Sequence, residues 1–292
     1  GIVLSEGKIS SRQLTLLLFL SRIFSILEYT PALGDSMTGM TLLISTALSF
    51  LVQCVLVIPM LLLLYRYQEQ NVLGCAYLVS PVLGKITAAL FLLLFLAHLS
   101  GGYAIFSMFM TNIVYLKSSP ILIVLLLAAV CTVCACFGLQ GLARAGSIVF
   151  VLFILSTVFL CLVASDSAEI LNIHMIQEDG ISRIIRGTLE STSKNAELFV
   201  LLLLLPQIAK PQKKRACTYW FLTLVFLYTE VTQFIILSVL GDFGMKQMFP
   251  YYALTSVIDI SIFQRLDSLH VTLWIFTALF RCTLYTICAA KC

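Results

Sequence analysis

Charge is what this chain has least of. Only 11% of its 292 residues are Asp, Glu, Lys or Arg, against about 25% in ordinary soluble domains. A water-facing surface cannot be built from so little charge, so a soluble globular fold is excluded. Histidine is nearly absent, at three residues, and no His/Cys/acid cluster offers a metal site. The ten cysteines are scattered through apolar runs. Cys131, Cys134 and Cys136 have no His or carboxylate beside them, so they read as small apolar residues of a buried helix. No phosphate-binding glycine loop and no nucleophile–base pair is visible. The segment from Gly138 to Gly146 carries glycines and Arg144 without a Walker pattern and reads as a short turn. No enzyme, no cofactor and no nucleic-acid partner are expected. No cleavable signal peptide is recognised, and the initial Gly reads as the start of a fragment.

What the chain has is hydrocarbon: 60% hydrophobic residues and a mean hydropathy of +1.04. The long unbroken runs predict an all-α integral membrane protein in a lipid bilayer, since a membrane barrel shows short alternating segments instead. Eight spans are expected, at residues 13–33, 41–64, 86–114, 119–137, 145–164, 184–206, 217–240 and 268–290. With the N-terminus cytoplasmic, ten Lys and Arg residues fall in inner loops and five in outer ones. The basic run at residues 210–215 is the strongest contributor, and the positive-inside rule selects that orientation. Residues 249–263 are apolar on a helical period but too short to span, and read as a re-entrant or surface helix.

The sharpest anomaly is the polar island Glu190-Ser-Thr-Ser-Lys-Asn-Ala-Glu197 inside the sixth run. A charged side chain at bilayer depth costs roughly 2.5–3.5 kcal/mol on insertion scales. Such a segment must face protein or a wet cavity. Glu190 and Lys194 lie four apart and Lys194 and Glu197 three apart, so a continuous helix could neutralise itself. A helix break near residues 191–195 is the alternative, because Ser, Thr and Asn offer backbone groups other partners. Amides freed there would favour a ligand anion. The first run is interrupted too, by Arg22, Ser25, Glu28, Tyr29 and Pro31. Two matched interruptions, in spans one and six, point to a transporter-like binding site. The expected ligand-binding residues are Ser25, Glu28, Tyr29, His98, Ser191, Thr192, Ser193, Lys194, Asn195 and Glu197. Lys194 is expected to meet either Glu28 or the ligand. Farther along, a Glu230–Arg281 pair is conceivable.

Four motifs carry a resemblance. They are Lys8-Ile-Ser-Ser-Arg-Gln-Leu14 before the first span, Ala196-Glu197-Leu-Phe-Val with Leu-Leu-Pro206, the basic turn at residues 210–215, and Phe249-Pro250 followed by Phe263-Gln-Arg-Leu-Asp267 and Trp274. In order and spacing they resemble the spore germination permease family, the B subunit of endospore germinant receptors within the amino acid–polyamine–organocation superfamily. The resemblance implies a LeuT-type inverted-repeat helical bundle with spans one and six discontinuous. It also implies a single membrane domain over residues 1–292, with a first repeat at 13–164 and an incomplete second at 184–290. Ten core helices are implied, so two would lie beyond the eighth span. It further implies a small nutrient ligand (an amino acid, sugar or nucleoside) bound between spans one, three, six and eight, with A and C receptor subunits as partners in the spore inner membrane. A proton-coupled amino acid transporter of the same fold is the alternative. The family's glycines in the first span are absent here, where Phe24-Ser25-Ile26 stands instead.

Overall fold

A computed structural model of the chain describes residues 8–27, 39–173, 180–208, 210–257 and 266–292. Glu28, Tyr29 and Pro31, expected at the break in span one, lie outside the described residues, as do His174 and Phe263.

The described chain is a helical bundle. Five helices are long and apolar enough to cross a membrane: residues 39–66, 81–114, 138–167, 214–241 and 268–291. They belong to α2 (Gly39–Arg66), α4 (Pro81–Phe109, continued by a π-helical turn at Met110–Val114), α6 (Gly138–Ala164), α9 (Lys214–Lys246) and α11 (Leu266–Lys291). Helix α5 (Pro120–Cys136) is apolar and shorter, and α1 (Ser11–Leu27) is equally short but carries Arg12 and Arg22. The sixth expected span is two pieces, α7 (Gly180–Ser193) and α8 (Glu197–Leu204). Two short helices, α3 (Val72–Val79) and α10 (Pro250–Val257), complete the set. Their length and apolarity fit a multi-pass helical membrane protein.

Local chemistry explains several boundaries. Asn71 caps α3 by accepting from the Gly74 amide at 2.8 Å, and Ser80 caps α4 by accepting from Val82 at 3.3 Å. Pro81 and Pro120 occupy first-turn positions, where a missing N–H costs nothing. The glycine-bearing segment from Gly138 is not a turn. Gly138, at φ 74°, takes the left-handed conformation, so α5 reverses into α6 through Phe137 alone and the segment is the first part of α6. A glycine has no Cβ to resist that conformation. Gly241, at φ 52°, breaks α9 in the same way.

Burial separates centre from rim. The apolar window of α11 is 67% buried and that of α4 only 11%. Helix α1 is the axis: Leu14, Leu17, Leu18, Phe19, Leu20, Ser21, Ile23 and Phe24 are all fully enclosed. It packs against α6, α9 and α11. The rim helices present Leu51, Leu62, Leu93, Leu125 and Leu155 outward, which suits lipid rather than water. Trp274 of α11 stacks on Phe24 at 5.2 Å and Phe106 at 5.5 Å between centroids, tying α1 to α4 through the centre.

One end of the bundle is cross-laced. Ile9 forms a parallel bridge to Ile208, its amide donating to the Gln207 carbonyl at 3.1 Å. Ser11 donates to the Lys213 carbonyl at 3.3 Å, and Lys214 Nζ donates to the Gln68 carbonyl at 2.6 Å. The chain after α8 is thereby held to the start of α1 and the end of α2.

Candidate functional site

Helix α7 ends at Ser193 and α8 begins at Glu197, so residues 194–196 interrupt the span. The interruption starts at the end of the stretch where Ser, Thr and Asn compete for backbone groups. Ser193 Oγ donates to the Glu190 carbonyl at 2.8 Å and Thr192 Oγ1 to the Thr188 carbonyl at 2.7 Å. Hydroxyls returning to the preceding turn in this way weaken the ladder beyond it.

A narrow polar cleft opens beside the interruption, between α1, α2, α7 and α9. Its wider part, about 60 Å³ of water-accessible space, lies against Arg22, Ser25, Ser45, Thr46, Ser191 and Lys194. An adjoining part of about 30 Å³ reaches Ser49, Gln53 and Asn195. Arg22, Thr46, Ser191 and Thr229 line both parts, so the two form one space. As it stands the space has room for a few waters, lined by convergent polar groups of the kind that orient a small ligand.

The α2 wall is a polar stripe. Thr41, Ser45, Ser49 and Gln53 fall four apart on one face of an otherwise apolar helix, and all four are buried. Ser49 shares a hydrogen bond of 3.0 Å with Thr192, and Gln53 donates to Ser49 at 2.8 Å. Asn195 Nδ2 donates to Gln53 Oε1 at 2.5 Å. Thr46 donates to Gln233 of α9 at 3.0 Å, and Ser45 donates to the Ile184 carbonyl at 3.3 Å. This relay fixes α7 and the interruption against α2. Asn195 Oδ1 is buried with no hydrogen-bond partner, an acceptor beside the cleft.

Behind the cleft lies a buried ion pair. Glu197, fully enclosed at the start of α8, accepts at Oε1 from Arg281 Nη1 of α11 at 2.5 Å. Ser21 of α1 donates to the same oxygen at 3.0 Å and Tyr285 at 3.3 Å. Arg281 Nη1 also donates to the Ser21 carbonyl at 3.1 Å, and its guanidinium lies 4.9 Å from the Tyr285 ring centroid. One carboxylate thus joins α1, α8 and α11. Ion pairs this deep need further hydrogen bonds; Ser21 and Tyr285 supply them at Oε1, while Oε2 is buried with no hydrogen-bond partner.

The expected site residues separate into groups. Ser25, Ser191, Lys194 and Asn195 line the cleft. Thr192 holds the α2 wall, while Ser193 is turned outward and exposed. His98 sits on α4, its ring 5.8 Å from Tyr285, and is not part of the cleft lining. Glu197 lies behind the cleft under Arg281. Lys194 is paired within its own segment, with Glu190 at 3.3 Å, as the four-residue spacing permits. Arg281 pairs with Glu197 rather than Glu230. The α2 stripe and the Thr229/Gln233 pair of α9 were not among the expected residues. Their four-residue spacing in apolar helices is the signal that could have found them.

These features stand in a chain whose residues 8–292 match the spore permease family, described as spore germination protein. A search of curated proteins finds no match to the chain. The family match runs from the N-terminal motif through the interrupted span and past Arg281, and the chain therefore belongs to the spore permease family of spore germination proteins.

Proposed function

We propose that the chain is the membrane subunit of a spore germinant receptor, which binds a small nutrient in the cleft between α1, α2, α7 and α9. The observation that carries this reading is the interruption at residues 194–196. It opens beside a polar cleft in a bundle where polarity is otherwise costly. Interrupted helices beside a mid-membrane cleft are the usual architecture of carrier-type ligand sites. The cleft lies nearer spans one, two, six and seven than the set one, three, six and eight expected from the resemblance.

On this reading the bundle is an inverted-repeat, LeuT-type fold, with repeats at residues 13–164 and 184–290 and the N-terminus cytoplasmic in the spore inner membrane. A nutrient binds one arrangement of α7 and α8 better than another and shifts the equilibrium by that difference in affinity. The lacing of residues 207–214 to α1 and α2 gives the shift a route to the basic end of the bundle. A and C receptor subunits would receive it there and at the opposite face.

The test is equilibrium binding of amino acids, sugars and nucleosides to the full chain in nanodiscs, before and after Ser191→Leu, which fills the cleft. Saturable binding lost in the filled variant supports the reading. Binding unaffected by Ser191→Leu places the ligand elsewhere.

The second reading, a proton-coupled amino acid transporter, draws on Glu230 of α9, whose Oε1 is buried with no hydrogen-bond partner. A carboxylate so placed is a proton-carrier candidate. Proton-driven accumulation in proteoliposomes, lost in Glu230→Gln, would establish that reading over a pure sensor.

A further inference from the structure

The buried charges around the cleft do not balance. Among the described residues the fully buried charges beside the cleft are two guanidinium groups, Arg22 and Arg281, and one carboxylate, Glu197; the half-buried Glu230 of α9 is not part of the cleft lining. The ion pairs near the cleft are Arg281 with Glu197 and Lys194 with Glu190. Neither includes Arg22. The Arg22 side chain is 8% exposed, yet its Nε has no hydrogen-bond partner, and its Nη1 donates only to Ser25 Oγ at 2.6 Å. Arg22 lines both parts of the cleft.

Among the described residues no other wall of the cleft supplies a counter-charge, and the carboxylate that acts on Arg22 through space, Glu197, is already held by Arg281. The α2 face offers Ser45, Thr46, Ser49 and Gln53, and the α9 face offers Thr229 and Gln233, all neutral. From α7 the cleft receives Lys194, a second cation already matched by Glu190. A buried cation without a partner is strongly unfavourable. A bidentate carboxylate is the group whose geometry fits a guanidinium fork.

We infer that the cleft is an anion-selective site whose ligand places a carboxylate on the Arg22 guanidinium. The inference rests on the cleft being the nutrient site and adds the chemical class of what enters it. Arg22 anchors the carboxylate, Ser25 and Ser191 border it, and the α2 stripe addresses the remainder of the ligand. Uncharged sugars and nucleosides leave Arg22 unmatched and are disfavoured.

The test separates the charge of the cleft from its role. Ser191→Cys places a thiol on the shared wall, with the modified peptide read by mass spectrometry in the full chain in nanodiscs. The rates with an anionic and a cationic methanethiosulfonate reagent are compared. The anionic reagent is expected to be favoured, and Arg22→Gln is expected to lower the anionic-to-cationic ratio by roughly tenfold, with Arg22→Lys retaining most of it. A ratio unmoved by Arg22→Gln overturns the inference while leaving the cleft accessible. A thiol that neither reagent reaches overturns the reading of an open ligand site itself. Glu28→Gln serves as the control for an internal counter-ion. If anionic preference emerges only in that variant, Arg22 is already neutralised and the inference falls. A ligand arm completes the test with L-alanine and propionate against L-alaninamide and propionamide, and with glucose and inosine. Carboxylate binding that disappears in Arg22→Gln supports the inference. Binding of glucose or inosine that persists in Arg22→Gln keeps the nutrient site and overturns its anion selectivity.

Discussion

Arg281 reaches across the bundle to place its Nη1 2.5 Å from Glu197 Oε1, so a residue of the last described helix fixes the first residue of α8. The consequence is a half-helix whose position depends on a neighbour 84 residues away. Any motion at the interruption must either carry Arg281 along or break the pair.

Glu197→Gln is expected to destabilise the chain by roughly 3–5 kcal/mol, because it leaves the Arg281 guanidinium buried without its counter-charge. Thermal unfolding in detergent should show a clear fall in Tm. The double variant Glu197→Gln/Arg281→Met, which removes both charges, should be less destabilised than the sum of the two single changes. Simple additivity would show that the two side chains do not interact.

Asn195→Ala should cost about 1–3 kcal/mol, since Gln53 Oε1 loses its 2.5 Å donor inside the bundle and stays buried. Gln53→Leu in the same chain removes the stranded acceptor and should recover part of the loss. Denaturation of the two variants side by side measures it.

Lys194→Ala is expected to leave folding almost unchanged, because Lys194 and Glu190 are each about a third exposed and such pairs are worth up to about 1 kcal/mol. Nutrient binding should nevertheless weaken, since Lys194 lines the cleft mouth. A large drop in Tm would instead make Lys194 a structural counter-ion.

Gly241→Ala should destabilise the chain by about 1 kcal/mol or more, because φ 52° is a conformation that an L side chain resists. Removing Trp274, packed against Phe24, Phe106 and Phe109, should cost more, about 3–5 kcal/mol for Trp274→Ala. The order of the two Tm values is the check.

Much of the candidate site was legible in the residues before any fold was known. The polar island at residues 190–197 marked the interrupted span, and the four-residue spacing of Glu190 and Lys194 foretold their pairing. The α2 stripe was written there too, as Thr41, Ser45, Ser49 and Gln53, but four neutral residues in an apolar run carry a weak signal beside two carboxylates and a lysine. Arg22 was visible as a cation in span one and went without a role, because nothing local says whether such a side chain snorkels or points inward. His98 drew notice as a rare titratable group, yet the turn of α4 on its axis sets it beside Tyr285 instead of the cleft.

By itself, the sequence determined the membrane class, the helical character and the place of the polar island along the chain. These follow from hydrocarbon content and from short-range spacing along a helix, both additive over neighbouring residues. Only the tertiary structure decided that Glu197 belongs to Arg281, that Asn195 belongs to Gln53, and that Arg22 belongs to the cleft without a carboxylate of its own among the described residues. Those pairings join residues 84 and 142 positions apart. They depend on which helices are neighbours and how each is rotated about its axis, quantities set by packing the whole bundle at once rather than by any stretch of it.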